Sequence, residues 1–137
     1  MPADTVEGIS LVVPVYESRE SLEILAKAVS EAMAEIGGPW ELILVDDASS
    51  DGSWEVVRRL AAADPGIRGM RLARNSGQHN ALLCGIRAAR FSVTVTLDDD
   101  LQNPPAEIPK LLAKLSEGFD VVYGSPDRER HGLPRDL

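Results

Sequence analysis

The sequence predicts a three-layer α/β/α fold built on a mainly parallel sheet. Two observations predict it. Short apolar runs alternate with helical patterns to near the end of the chain, and the links between them are short. That alternation favours parallel strands joined by right-handed crossovers, with helices on both faces of the sheet.

The elements follow in order. Residues 9–13 form the first strand-like run, broken by Pro14. From Ser18 onward, Leu22, Leu25, Val29, Met33 and Ile36 recur at steps of three and four, which marks one face of a helix. Gly37, Gly38 and Pro39 end it. Residues 40–45 read as a buried strand, with a continuous apolar run from Leu42 to Val45. A second helix is expected over 53–63, with Trp54, Val57 and Leu60 inward and Asp64-Pro65-Gly66 closing it. The third strand, 67–72, is interrupted by Gly69 and two arginines. A third helix over 78–90 and a fourth strand over 91–97, rich in valine and threonine, come next. Pro105 suits the first turn of a fourth helix whose apolar face is Ile108, Leu111, Leu112 and Leu115, capped by Gly118. A fifth strand over 119–123 precedes a polar tail rich in proline and arginine.

Composition narrows the function classes. A chain of 137 residues has the size of one domain, and 44% hydrophobic content is enough for a core, which excludes a disordered or fibrous chain. The net charge of −8 disfavours a nucleic-acid partner, because phosphates are repelled. A single cysteine, Cys84, excludes a disulfide framework and a multi-cysteine zinc site, and two histidines exclude a histidine-rich one. No stretch approaches the ~20 apolar residues of a spanning helix, and residues 1–8 lack signal-peptide order. The expected location is therefore cytoplasmic.

In a sheet of this kind, ligands bind beyond the carboxyl ends of the strands. The residues with chemistry to offer fall there. Pro14, Tyr16 and Glu17 follow the first strand, and Asp46, Asp47, Ser49 and Asp51 follow the second. Arg74, Asn75 and Gly77 follow the third, and Asp98, Asp99, Asp100 and Gln102 the fourth. Alternation along an extended backbone places Asp98 and Asp100 on one face and turns Asp99 away. Two carboxylates held close repel unless a proton or cation intervenes. The all-oxygen set Asp98, Asp100 and Gln102 suits Mg²⁺ or Mn²⁺ rather than zinc; the plain alternative is a solvated acidic loop.

The other loops each carry two readings. Asp51 or Ser50 can cap the second helix, whereas Asp46 and Asp47 are not needed for that and can accept from a base N–H or a ribose hydroxyl. Pro14-Val15-Tyr16 is either a strand-ending turn or a platform on which Tyr16 stacks a base. Residues 74–80 are either a plain helix start capped by Ser76 or Asn75, or a phosphate site where Arg74 adds charge to free N–H groups. His79 reads as solvated or capping, and Cys84 as a small core residue. The P-loop, the dinucleotide glycine fingerprint and the serine nucleophile elbow are absent. A phospho-receiver domain would carry its acidic pair after the first strand, where this chain has Pro-Val-Tyr-Glu.

Three segments in order, Val12-Val13-Pro14-Val15-Tyr16, Leu44-Val45-Asp46-Asp47-Ala48-Ser49-Ser50-Asp51-Gly52 and Leu97-Asp98-Asp99-Asp100-Leu101-Gln102-Asn103-Pro104-Pro105, resemble family 2 glycosyltransferases of GT-A fold. Arg74-Asn75-Ser76-Gly77-Gln78-His79 and the stretch to Pro109 narrow the resemblance to the polyprenyl-phosphate type, which includes undecaprenyl-phosphate sugar transferases and, more distantly, dolichol-phosphate mannose synthase. The resemblance covers about residues 8–137.

It implies a Rossmann-like nucleotide-sugar-binding half in a single domain over 1–137, with the acceptor half absent. It implies inverting, metal-dependent transfer from a nucleotide-diphosphate sugar, UDP favoured, to polyprenyl phosphate. Alternatives are a nucleotide-sugar-binding fragment without turnover and a transferase acting on a polysaccharide. Carried over by position, Pro14, Tyr16 and Asp47 hold base and ribose, Asp98 contacts the nucleotide, and Asp100 with Gln102 ligates Mg²⁺ or Mn²⁺. Asp98 and Asp100 are the expected catalytic pair, Glu17 and Arg74 complete the nucleotide set, and Arg135 lies where an arginine often stands near the phosphates. The full-length product is expected at the cytoplasmic face of the membrane, reached through segments missing here or through a partner. Two positions depart from the family pattern. Tyr16-Glu17-Ser18 stands where Tyr-Asn-Glu is usual, and Gly124-Ser125 is followed by Pro126 rather than arginine.

Overall fold

A computed structural model describes residues 6–99, 107–110 and 113. The described elements alternate strictly: β1 (Val6–Val15), α1 (Leu22–Ile36), β2 (Trp40–Asp46), α2 (Ser53–Ala63), β3 (Ile67–Arg71), α3 (Gln78–Ala88) and β4 (Phe91–Thr96). All strand pairs are parallel, and the strand order is β3-β2-β1-β4. The expected mainly parallel sheet with helices on both faces is what forms.

The order of the strands decides the layers. From β1 to β2 to β3 the sheet grows in one direction, so two right-handed crossovers place α1 and α2 on the same face. The chain then returns past β2 and β1 to add β4, and α3 must cover the opposite face. The two core clusters show this division. Leu11, Val13, Leu42 and Leu44 pack with Leu22, Leu25, Val29, Met33, Val56 and Val57, while Val12, Ile43 and Val45 pack with Ala81. Cys84 packs against the second cluster as a partly buried residue, in keeping with its expected core role.

Boundaries shift where local pattern and tertiary pairing disagree. α2 occupies the expected 53–63, but α1 starts at Leu22 rather than Ser18, and α3 stops at Ala88 rather than Arg90. Pro14 does not break the first strand. It is buried inside β1, opposite Val45 of β2. Val12 turns its carbonyl to β4, accepting from Leu97 N–H, and Val15 turns its carbonyl to β2, accepting from Asp47 N–H. By the two-residue alternation, position 14 faces β4, where proline has no donor to give. The β1–β4 ladder ends there, while the β1–β2 ladder runs on to Asp46.

Gly69, which weakened the third strand as a sequence pattern, is a packing device. A Cβ there would lie 2.6 Å from Val57, so its absence lets α2 approach β3. Gly85 serves α3 similarly, since an added Cβ would sit 2.4 Å from a Val12 methyl and 3.0 Å from one of Val45. Both contacts are with side chains of central strands. Gly85→Ala is therefore expected to destabilise the fold by about 1–3 kcal/mol through overpacking, read as a lower urea midpoint at unchanged slope.

Of the expected fourth helix, residues 108–110 are helical and Ile108 is fully buried in the cluster under α1 and α2. Residue 113 is also helical; the remainder of that helix and the fifth strand over 119–123 lie outside the described residues, as does the tail.

Candidate functional site

The strand order reverses between β1 and β4, so the crevice at their carboxyl ends is the topological switch point of this sheet. Pro14 ends the hydrogen bonding between these two strands at that spot, and the loops carrying Tyr16 and Asp98 leave from its two sides. Tyr16 is 51% exposed, unusual for an aromatic ring and suited to stacking on a planar ligand. Its backbone is nevertheless fixed, because Tyr16 N–H donates to Asp99 Oδ2 at 3.1 Å.

Asp99 is the structural member of the acidic triplet. Leu97 joins the core under α1, so alternation carries Asp99 to the same side. There the Ser18 hydroxyl also donates to its Oδ2, and the Ser21 hydroxyl donates to its carbonyl at 2.7 Å. Its carboxylate ties the loop after β4 to the loop after β1. Asp98 is half-buried. Asp100, Gln102 and Arg135 lie outside the described residues. Among the described residues, no three acidic, histidine or cysteine side chains form a metal-binding group.

The loops after β1 and β2 are stitched together. Glu17 N–H donates to Ser49 Oγ (2.8 Å), and Ser18 N–H to Ser53 Oγ (3.0 Å). Ser50 donates to Glu17 Oε2 from both its backbone N–H (2.6 Å) and its hydroxyl (3.0 Å). Glu17 and Ala48 both adopt positive φ, 52° and 62°, a conformation that side-chain-bearing residues hold only when their surroundings enforce it. Glu17, placed in the nucleotide set by resemblance, thus commits its carboxylate to Ser50.

Asp51, not Ser50, serves the start of α2. Its Oδ1 accepts from Ser53 N–H (3.0 Å) and Ser53 Oγ (2.6 Å), and Oδ2 from Arg19 N–H (3.3 Å). Partial burial acts to raise its pKa, but these donors outweigh that and hold the carboxyl below its ordinary range.

Asp46 and Asp47 point to opposite faces. Asp46 is fully buried beside α2, where Oδ2 accepts from Ser49 N–H (3.2 Å) and lies 3.5 Å from Arg71 Nε, while Oδ1 has no hydrogen-bond partner among the described residues. Arg71 also lies over the Trp54 ring, 5.8 Å from its centroid. Asp47 faces the α3 side and is 3% exposed; its Oδ1 accepts from Ser76 N–H (2.7 Å) and Oδ2 from Gly77 N–H (2.9 Å). This corrects the reading of the start of α3. Neither Ser76 nor Asn75 caps the helix; Gly77 is its N-cap without a side-chain cap bond, and Asp47 takes two N–H groups that the sequence left open to a phosphate. Arg74 is exposed at the rim of the same loop, and His79 is exposed on α3.

The structure therefore gathers Pro14, Tyr16, Glu17, Asp47, Arg74 and Asp98 at one edge of the sheet. Sequence reasoning placed Ser49 in the loop after the second strand but missed the supporting residues Ser18, Ser53 and Arg71. The Asp51-x-Ser53 spacing is a visible signal for one of them; the others are recognisable only once the loops are side by side.

With this arrangement established, comparison with known proteins is decisive. The model of the family described as Glycosyl transferase family 2 matches residues 10–136. The chain belongs to glycosyl transferase family 2. Over 121 residues it is 48% identical to the undecaprenyl-phosphate 4-deoxy-4-formamido-L-arabinose transferase of Pectobacterium carotovorum, covering 87% of this chain and 37% of that protein. It is 46% identical to the enzyme of the same name from Salmonella paratyphi B, covering 88% and 37%. The chain thus spans a little over a third of the length of these curated relatives. Among solved structures, S. aureus TarS 1-349 in complex with UDP-GlcNAc superposes with a TM-score of 0.62 at 20% identity, covering 80% of this chain and 31% of that one. The mannosyltransferase PcManGT from Pyrobaculum calidifontis, solved with GDP-Man and Mn²⁺, gives 0.61 at 24%, covering 73% and 31%. These neighbours share the GT-A fold expected of a family 2 member.

Proposed function

We propose that this family 2 chain is the nucleotide-sugar-binding half of an inverting glycosyltransferase whose full-length product moves a sugar from a UDP-sugar to undecaprenyl phosphate. The observation that carries the reading is the 46–48% identity to undecaprenyl-phosphate sugar transferases across nearly the whole chain. The gathering of Tyr16, Asp47, Arg74 and Asp98 at the carboxyl edge of the sheet supports it. Tyr16 stacks the base, and Pro14 keeps the neighbouring strands apart so that the base can enter. Asp98 orients the nucleotide, while Arg74 offers charge at the rim.

Breaking the bond at the anomeric carbon leaves negative charge on the departing diphosphate. The donor chemistry fits a hard divalent cation, because Asp98, Asp100 and Gln102 offer oxygen donors alone. Bound there, Mg²⁺ or Mn²⁺ would supply Lewis-acid stabilisation of that charge. The attacking phosphate oxygen of the acceptor is already largely ionised near neutral pH (second pKa ~6), so the reaction asks little of a general base. No histidine is therefore required in that role.

Calorimetric titration of the chain with UDP and with GDP, with and without Mn²⁺, tests the site. UDP is expected to bind better than GDP and to require Mn²⁺, and Asp100→Asn is expected to weaken Mn²⁺-dependent binding about tenfold or more. Equal binding by the variant, or none by the parent under any condition, overturns the assignment. With the full-length product, transfer to polysaccharide rather than to polyprenyl phosphate would overturn the acceptor.

A further inference from the structure

A ring that stacks on a planar ligand needs a fixed backbone, and the sheet itself does not supply one to Tyr16. Val12 turns its carbonyl to β4 and accepts from Leu97 N–H at 3.0 Å. By alternation the next position facing that strand is Pro14, which has no N–H to donate. The one after it is Tyr16, already beyond the end of β1 at Val15 and level with the loop that follows β4. Its N–H finds a side chain instead of a strand carbonyl: Asp99 Oδ2, at 3.1 Å. Among the described residues this is the only hydrogen bond that the Tyr16 N–H makes. A carboxylate thus takes over where the proline has ended the ladder.

Two serines strengthen the link. The Ser18 hydroxyl donates to the same Oδ2. It also lies 2.9 Å from the Tyr16 carbonyl, so its single proton braces this loop through either bond. Ser21 is the N-cap of α1 yet makes no side-chain cap bond. A serine there ordinarily accepts from the free N–H groups of the helix; this one donates to the Asp99 carbonyl at 2.7 Å. Asp99 is therefore held at both its carboxylate and its backbone by the loop it restrains.

We propose that Asp99 is a positioning residue for nucleotide binding, its carboxylate holding Tyr16 in place beside the crevice between β1 and β4. The inference rests on the reading of Tyr16 as the platform for the base. It adds that the middle acid of Asp98-Asp99-Asp100 acts through Tyr16 and not on a cation. Both side-chain bonds end on one oxygen, Oδ2, so an amide oxygen can accept both. A cation ligand differs, because an amide lacks the charge that strengthens a site for a divalent ion.

Calorimetric titration of the 137-residue chain with UDP in Mn²⁺ tests the role. Asp99→Ala is expected to weaken UDP binding about tenfold, as for loss of a hydrogen bond to a charged group. Asp99→Asn, which keeps an acceptor oxygen, is expected to stay within about threefold of the parent. In a Tyr16→Ala background, Asp99→Ala is expected to add less than about twofold, since the residue it acts through is gone. Amide exchange at Tyr16 without ligand reads the bond itself and is expected to be about tenfold faster in Asp99→Ala. Equal losses in the Asn and Ala variants, or a full loss on top of Tyr16→Ala, overturn the positioning role. Unchanged exchange at Tyr16 overturns it as well. Parent binding that Asp99→Ala leaves unchanged sinks this inference alone, whereas a parent that binds no UDP removes the base platform and this inference with it.

Discussion

Glu41→Ala is expected to remove about 3–5 kcal/mol of folding stability, the range for stripping one partner from a buried charge cluster. Glu41 lies in the middle of the sheet at the amino ends of the strands, with no exposed surface. Its Oε2 accepts from the Ser10 hydroxyl (2.6 Å) and Arg90 N–H (2.8 Å), and its Oε1 from Arg90 Nε (3.0 Å), with Arg68 Nε 3.2 Å away. The Ser10 hydroxyl in turn accepts from Phe91 N–H at 3.1 Å. One carboxylate thus joins β1, β2, β3 and the start of β4, and alanine leaves these donors facing a void. Against a typical total of about 5–15 kcal/mol the loss is severe, and urea unfolding measures it. A loss under about 1 kcal/mol would show that the cluster forms without contributing to stability.

The same residue sets a pH dependence. Burial acts to raise the Glu41 pKa, but Ser10, the Arg90 N–H and the Arg68 charge outweigh it, so the folded value lies below the ordinary one. A depressed folded pKa gives stability that is fully present above the unfolded value, about 4.3, and is lost as pH falls through the lower folded value. Glu41→Gln should flatten the acid limb of stability below about pH 4.3. Because Glu41 sits at the edge opposite Tyr16, nucleotide affinity measured on folded protein should not change.

Asp47→Ala is expected to cost about 2–4 kcal/mol, since two hydrogen bonds to a buried carboxylate are lost together. The consequence differs from that of Glu41→Ala because the bonds end on Ser76 and Gly77, in the loop that carries Arg74. Amide exchange at Ser76 and Gly77 should accelerate ahead of the rest of α3, and UDP affinity should fall in folded protein as well. Asp47→Asn, which keeps one acceptor oxygen but turns an amide group towards a donor, should fall between. Unchanged exchange at these two amides would show that Asp47 does not hold the loop, leaving its carboxylate for a ligand alone.

The contrast between these two acids shows what local pattern can reveal. Asp47 stands in a polar loop at a strand end, so residue type and position are enough to mark it. Its partners are not visible that way: the sequence offered it a base or ribose, and the fold supplies Ser76 and Gly77 as well. Glu41 was hidden inside an otherwise apolar strand, because the reason a charge is tolerated there lies on β1, on β3 and ahead of β4, up to 49 residues away. Pro14 is a third case. Read locally it ends a strand; within the sheet it interrupts only the ladder towards β4.

The chain's own pattern determined the alternation of strands and helices, the inward faces of α1 and α2, and the placement of polar residues after each strand. These depend on periodicity and turn chemistry within a few residues. Tertiary structure alone decided that β4 joins β1 rather than β3, that α3 therefore covers the opposite face, and that Asp99 and Asp47 each tie one loop to another. Such choices depend on which distant surfaces bury each other and which orphaned donors a carboxylate can reach, and neither is a property of any short stretch of sequence.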